Sequence, residues 1–408
     1  MSGHRMFVFL LIALTVYGLA NFYIGRRGAQ ALASMPRARV IFLVLFIGLA
    51  LAFPLGRSLM IVARGRLTSV LVEAGTFHLA VMLYGLMAVL GIDLGRLANA
   101  FVPFLPRTWF EEGAKSGPVV FTVAASAVAL TLAYGAWNAT RLRTVDLEIY
   151  LPRGVGTVEH LTFVAASDLH LGALVGPRRL EKVVRRMNEL APDAVVFVGD
   201  IVDESVTEEI EAQLGGIMRR LQAPLGIYAA LGNHESYSGL ARNIACLRAC
   251  GVTVLQDEAA EVAGAVRLVG RRDPSSLAVQ EVRLSIPGIL AGSGLGADLP
   301  VIVLDHQPVR FEEVVEAGAG LQISGHTHDG QIFPIGLING LIYELNWGHL
   351  RKGGTQFYVT SGAGTWGPPV RIGSRAEIVR FRITFDRTGG EHSLPKKKGR
   401  TASAALPG

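Results

Sequence analysis

Four runs of apolar residues crowd into the first third of this chain and dictate the environment it must fold in. A helix needs ~20 apolar residues to cross the ~30 Å hydrocarbon core of a bilayer. Met6 to Ile24, Val40 to Val62, Leu67 to Ile92 and Pro118 to Trp137 each reach that length. The first run reads as a retained helix rather than a cleaved leader, because no small-x-small site follows it cleanly and three more spans come after it. The second is expected to kink or end near Pro54, with Arg57 reaching toward the interface. Phe101, Phe104, Trp109 and Phe110 read as an interfacial segment. Glu73 and His78 are the ionisable residues that stand out in the third run; Glu73 is expected to reach the headgroups and His78 to bond a neighbouring helix.

Four spans put the start of the chain and everything after Asn138 on the same side. The cluster Arg26, Arg27, Arg37 and Arg39 after the first span leans the opposite side toward the cytoplasm, so the soluble part is expected to face outward. The chain carries 39 basic and 33 acidic residues, a net charge of +6. In a membrane protein that excess favours anionic lipid headgroups as partners. Nucleic acid is not expected, since no basic residues interleave with aromatics around a site. Lys396-Lys397-Lys398-Gly399-Arg400 lies in a tail rich in Pro, Gly and Ser, read as disordered over 387–408. Cys246 and Cys250 have no second cysteine pair to complete a zinc site and read as small buried side chains.

The turn-rich stretch Arg141 to Gly156 marks the boundary of the soluble half, a linker over 141–156 with Thr144 to Leu151 as an edge strand. Buried strands are expected at Leu161 to Ala166, Ala194 to Val198, Gly226 to Leu231 and Val252 to Leu255. They alternate with helices at Arg178 to Leu190, Thr207 to Leu221 and Gly239 to Ala249, the rhythm of a layered α/β domain. Shorter strands follow at Glu261 to Val269, Val301 to Leu304, Leu321 to Ser324, Phe357 to Thr360 and Ala376 to Thr384. Gly288 to Gly296 reads as a surface loop, since no GK[ST] and no helix pattern follow it.

Asp168 and His170, Asp200, Asn233 and His234, His306, and His326 and His328 all fall at or just past the C-terminal ends of expected strands, the edge where α/β sheets gather ligand sites. Oxygen and imidazole ligands without a thiolate, in this number, exceed one metal and suit two sharing a carboxylate. Two divalent ions ~3.5–4 Å apart acidify a bridging water toward pKa ~7 and can hold the oxygens of a phosphoryl centre. Mn, Fe, Zn and Co all accept such ligands.

These blocks, Asp168-x-His170, Gly199-Asp200, Gly232-Asn233-His234-Glu235, His306 and Gly325-His326-x-His328, resemble the five signature blocks of the calcineurin-like metallophosphoesterase family, in the family's order. Gly325 to Ile332 and Gly362 to Arg371 are similar to its bacterial membrane-linked branch of YkuE- and YaeI-like phosphoesterases. With the apolar runs read as an N-terminal α-helical transmembrane bundle over 1–140, the resemblance implies a C-terminal α/β metallophosphoesterase domain, an αββα layered sandwich, over 157–386. It implies one metal on Asp168, His170, Asp200 and His328, and a second on Asp200, Asn233, His306 and His326. It makes His234 the general acid and Asp203 a supporting residue behind the ligands, with Glu235 where the family often has Asp.

The expected function is therefore a membrane-anchored phosphoesterase of a bacterial cell membrane. It would hydrolyse a phosphomonoester, phosphodiester or lipid pyrophosphate by attack of a metal-bridging hydroxide. In the competing reading the bundle is the working part and the soluble domain a regulatory module, which would leave ligands missing from the blocks; none is missing. His160 and His349 match no block. Arg371, beside a Pro-Pro turn, is expected at the surface.

Overall fold

In a computed structural model the chain is described over residues 3–63, 65–106, 109, 113–154, 157–172, 175–203, 208–276 and 283–386. The apolar runs form helices α1 (Gly3–Ala31), α2 (Pro36–Val62), α3 (Arg66–Phe101) and α4 (Ser116–Thr140). Among the described residues α2, α3 and α4 are long and apolar enough to cross a membrane, and α1 packs against all three. At about 1.5 Å per residue, the 36 residues of α3 extend roughly 54 Å, more than a bilayer core requires. α2 does not end near Pro54 but runs on to Val62. Buried His78 joins the helices, its Nε2 lying 2.8 Å from Asn21 Oδ1 on α1, whereas Glu73 is exposed. The expected basic tail and Phe110 lie outside the described residues.

The soluble half begins with β1 (Leu142–Pro152), β2 (His160–Ala166), α5 (Pro177–Glu189), β3 (Ala194–Val198), α6 (Glu208–Met218), β4 (Ile227–Ala230), α7 (Asn233–Ala249) and β5 (Val252–Val254). It continues with β6 (Glu258–Val262), β7 (Val266–Gly270), α8 (Ile286–Ser293), β8 (Val301–Leu304), α9 (Phe311–Glu316) and β9 (Leu321–Ser324), then α10 (Ile335–Ile342), β10 (Gly348–Lys352), β11 (Thr355–Val359) and β12 (Ala376–Asp386). One sheet runs β1-β12-β2-β3-β4-β5 and the other β10-β11-β9-β8-β7-β6. Strands β2 to β5 are mutually parallel, as are β7, β8, β9 and β11.

Side-chain alternation builds the layers. Phe163, Ala165, Val196 and Val198 point into the core between the sheets, where they meet Leu268, Ile302, Ile323 and Phe381. Val164, Ala166, Val195 and Phe197 face the opposite way, against Leu180, Val183 and Met187 of α5 and Ile217 of α6. Val303, Phe357 and Val359 of the second sheet meet Ile286 and Ile289 of α8 and Phe311 of α9. Helix, sheet, sheet, helix is the expected αββα order. Covering both faces explains why the strands read as continuous apolar runs. A fully buried side chain such as Phe163 contributes about 1.5–3 kcal/mol relative to an exposed one.

Three expectations change. The strand expected over Glu261 to Val269 is a hairpin, β6 and β7, reversing at Ala263-Gly264, both left-handed at φ 56° and 61°. The expected loop at Gly288 to Gly296 is largely helix α8, started by Ser285, whose Oγ accepts the Gly288 N–H at 3.2 Å, and closed by Gly294 at φ 68°. The helix expected from Gly239 already starts at Asn233 and kinks at Gly239, φ 112°. The short helices α9 and α10 and strand β10 were not expected at all.

Candidate metal centre

All the candidate ligands sit just past the C-terminal ends of strands. Asp168 and His170 follow β2, Asp200 follows β3, Asn233 starts α7 after β4, His306 follows β8, and His326 and His328 follow β9. Five of the seven have left-handed backbones: Asp168 (φ 54°), His170 (48°), Asp200 (51°), His326 (71°) and His328 (53°). That conformation costs a non-glycine residue on the order of 1–3 kcal/mol and persists only where neighbours hold it. The neighbours are visible. Gly362, at φ 80°, lies so near that an added Cβ would sit 2.7 Å from Asp168 Cβ. Glu235, fully buried, accepts the N–H groups of Asp200, Ile201, Val202 and Gly232 at 3.0, 2.6, 2.9 and 2.8 Å.

The side chains converge in two groups, Asp168 with His170 and His328, and Asp200 with His306 and His326; within each, one ligand atom per residue lies within 4.8 Å of the others. Asp200 stands between the groups, its Oδ2 being 3.1 Å from His306 Nε2 and 3.8 Å from His170 Nε2. Asn233 Oδ1 lies 3.0 Å from His326 Nδ1. His234 does not join either group; its Nδ1 is 2.9 Å from Asp203 Oδ1, and its backbone N–H donates to Asp200 Oδ1 at 3.0 Å. A third group of metal-ligand type comprises His170, Asp203 and His234. His160 and His349 lie apart, bonded to Thr384 and Gln356.

The donor set fits cations. His306 Nδ1 bonds the Val198 carbonyl at 2.8 Å, so in the neutral ring Nε2 carries the lone pair, and it faces a carboxylate oxygen without hydrogen-bond geometry. His170 Nε2 and His328 Nε2 stand 3.0 Å apart, with Asp168 Oδ1 3.3 Å from the latter. Electron-rich atoms this close need a proton or a metal ion between them. Burial lowers His170 and His326 to about 4 and His328 well below its usual value, keeping these rings neutral, as metal ligation requires. Burial would lower His306 too, but Asp200 and Asp168 outweigh it and raise the ring well above the ordinary value, so this spot favours positive charge. Burial likewise works to raise Asp200, yet His306, His170 and His234 hold the carboxyl below the usual range. His234 is raised, since Asp203 and Asp200 outweigh burial.

His170, Asp200, Asn233, His234, His326 and His328 line a cavity of about 400 Å³. A second cavity of about 460 Å³ lies among the spans and is mostly apolar. Sequence reasoning missed several residues at the centre. Ser167 Oγ donates to Asp168 Oδ2 and lies within bonding distance of the Val198 carbonyl. Arg371, expected at the surface, is fully buried and donates to the carbonyls of Ser361 and Gly364 at 2.7 and 2.8 Å, with Nη2 3.4 Å from His328 Nδ1. Burial lowers Arg371 to about 10, still a cation at neutral pH. No stretch of the sequence signals this burial, since every residue carries the same backbone carbonyl.

Two sheets present carboxylates and imidazoles along facing edges, a set of ligands that could hold metal ions. Residues 161–330 match the calcineurin-like phosphoesterase family. An uncharacterized metallophosphoesterase of Aquifex aeolicus is 33% identical over 242 residues, 59% of this chain and 89% of its own length. The chain belongs to that family. A metallophosphoesterase of Campylobacter jejuni is 26% identical over 399 residues, spanning 92% of this chain and 98% of its own. A transmembrane protein with metallophosphoesterase domain from Danio rerio is 33% identical over 283 residues, 66% of this chain and 64% of its own. The chain spans only 55–64% of the length of that fish protein and its bovine and Helicobacter pylori relatives. A dimetal phosphatase from Danio rerio overlays on 56% of this chain at TM-score 0.34 and 14% identity, too slight a likeness to carry an argument. With three candidate spans and relatives named as transmembrane proteins, the chain is a membrane protein.

Proposed function

We propose that this chain hydrolyses a phosphomonoester, phosphodiester or pyrophosphate at a membrane surface, a lipid-linked one being the class that suits its anchor. The observation that carries the reading is the pair of ligand groups meeting at Asp200 in one cavity with His234. Asp168, His170, Asp200 and His328 would hold one divalent cation, and Asp200, Asn233, His306 and His326 a second, with Asp200 shared. When bound, such ions act as Lewis acids toward phosphoryl oxygens and acidify water. Mn, Fe, Zn and Co all suit the set.

The chain's own groups do the rest. With Nδ1 held by Asp203, His234 has Nε2 free to deliver a proton to the departing alkoxide, and its raised pKa keeps that proton available near neutrality. Glu235 and Ser167 hold the loops that carry Asp200 and Asp168. Arg371 ties the Ser361 to Gly364 turn to His328. The domain assignment that accompanies this reading is a membrane bundle over 1–140, a linker and edge strand over 141–156, and the catalytic domain over 157–386. The membrane would be a bacterial cell membrane with the catalytic domain outside, supported by the near-complete overlap with the Campylobacter protein and by the arginine cluster after α1.

The test is purified full-length protein given Mn²⁺ and assayed on p-nitrophenyl phosphate, its bis-ester and a lipid pyrophosphate. Hydrolysis of at least one, abolished in Asp200→Asn, is expected. Full activity in Asp200→Asn, or none with any divalent metal, would refute it.

A further inference from the structure

One wall of the catalytic cavity does not belong to the catalytic domain. Leu79, Ala80 and Leu83 of α3 line it together with His170, His234, His326 and His328. These three residues lie within the stretch Leu79 to Ile92, free of charged residues, of a candidate span. Helix α10 supplies the adjoining wall through Ile335 and Asn339. The two walls are tied together, since Tyr84 on α3 donates to the Phe333 carbonyl at 3.0 Å. Asn339 also donates to the carbonyl of Thr327, between His326 and His328, at 3.0 Å.

The rest of α10 is unlike a helix on a soluble surface. Leu337, Ile338, Leu341 and Ile342 are 64, 53, 88 and 68% exposed, and the helix carries no charged residue. Exposed aromatics flank it: Phe333, Trp347 and Trp366, the last also lining the cavity. A contiguous apolar face rimmed by tryptophan, beside a spanning helix, is the pattern of an element seated in the bilayer interface.

From this placement we infer an apolar subsite between α3 and α10 that receives a hydrocarbon tail, with α10 immersed in the same leaflet, so that the phosphate head reaches the histidines sideways from the membrane. This rests on the hydrolase reading and adds where the tail binds and which residues select it. Leu79, Leu83 and Ile335 form the specificity wall. No water-filled path need carry the tail, because α3 is bathed in lipid along its outer face.

The test uses full-length protein with Mn²⁺ in nanodiscs and a series of alkyl p-nitrophenyl phosphodiesters from methyl to dodecyl. Each methylene seated on the wall is expected to raise kcat/KM by up to about 4-fold. In Leu79→Asn with Leu83→Asn the dodecyl-to-methyl ratio should fall at least about 10-fold, as contact with some two methylenes is lost. An unchanged ratio, or an equal fall for every chain length, would overturn the subsite. Independently, an environment-sensitive dye on Leu341→Cys, with Cys246→Ser and Cys250→Ser, should shift to shorter wavelength and be quenched by doxyl-labelled lipids. Emission as in water would overturn the immersion of α10. If the unaltered protein hydrolyses no ester at all, the hydrolase reading and the tail subsite both fail, and the dye alone decides where α10 lies.

Discussion

Replacing Glu235 by glutamine isolates the support beneath the metal centre from the ligands themselves. Its two carboxylate oxygens each accept two backbone N–H groups, Oε1 from Ile201 and Val202, Oε2 from Asp200 and Gly232. Glutamine keeps the volume and one accepting oxygen, but its NH₂ must then face two N–H donors. Two bonds are lost, and bonds to a charged acceptor are worth about 1.5 kcal/mol or more each, so the variant should lose roughly 3 kcal/mol. For a domain of this size that lowers Tm by about 6–12 °C. Differential scanning fluorimetry in detergent reads the shift, and metal analysis of the same sample should show reduced occupancy, because the Asp200 loop has lost its anchor. A Tm within about 2 °C of the parent, with full metal content, would refute the reasoning.

Three further outcomes follow from the site. His234→Ala should lower turnover while leaving metal content nearly intact, and loss of both metals would mean that His234 is a ligand. Asp203→Asn removes the partner that raises His234, so the alkaline limb of the pH-rate profile, where the general acid has lost its proton, should move to lower pH; an unmoved limb would show that another group donates. Gly362→Ala forces a left-handed alanine, φ 80°, with its Cβ against Asp168. Reduced metal binding, seen by titration calorimetry, is expected, and parent-like affinity would show that the turn can yield.

How much of this was legible in the residues depended on range. The spans, β2, β3, β8 and β9 followed from apolar length and β-branched content, which are properties of a few consecutive residues. The blocks around Asp168, Asp200, Asn233, His306 and His326 stood out because each pairs a ligand type with a strand end. Features that depend on distant neighbours were not legible. Arg371 was expected outside because it stands beside a Pro-Pro turn, and it is buried because the carbonyls of Ser361 and Gly364 and the distant ring of His328 close around it. Glycine content made α8 look like a loop, until packing on β7 and β8 rewarded a helix.

Local periodicity and ligand chemistry, then, determined the membrane bundle, the layered α/β domain and the inventory of metal-type side chains. Tertiary structure decided what no short window holds: the left-handed backbones that aim five ligands inward, the placement of Asp200 between two groups, and the wall that α3 lends to the cavity. Those depend on loops from different strands being pressed together by the core between the sheets. A residue's own neighbours in sequence carry no record of that.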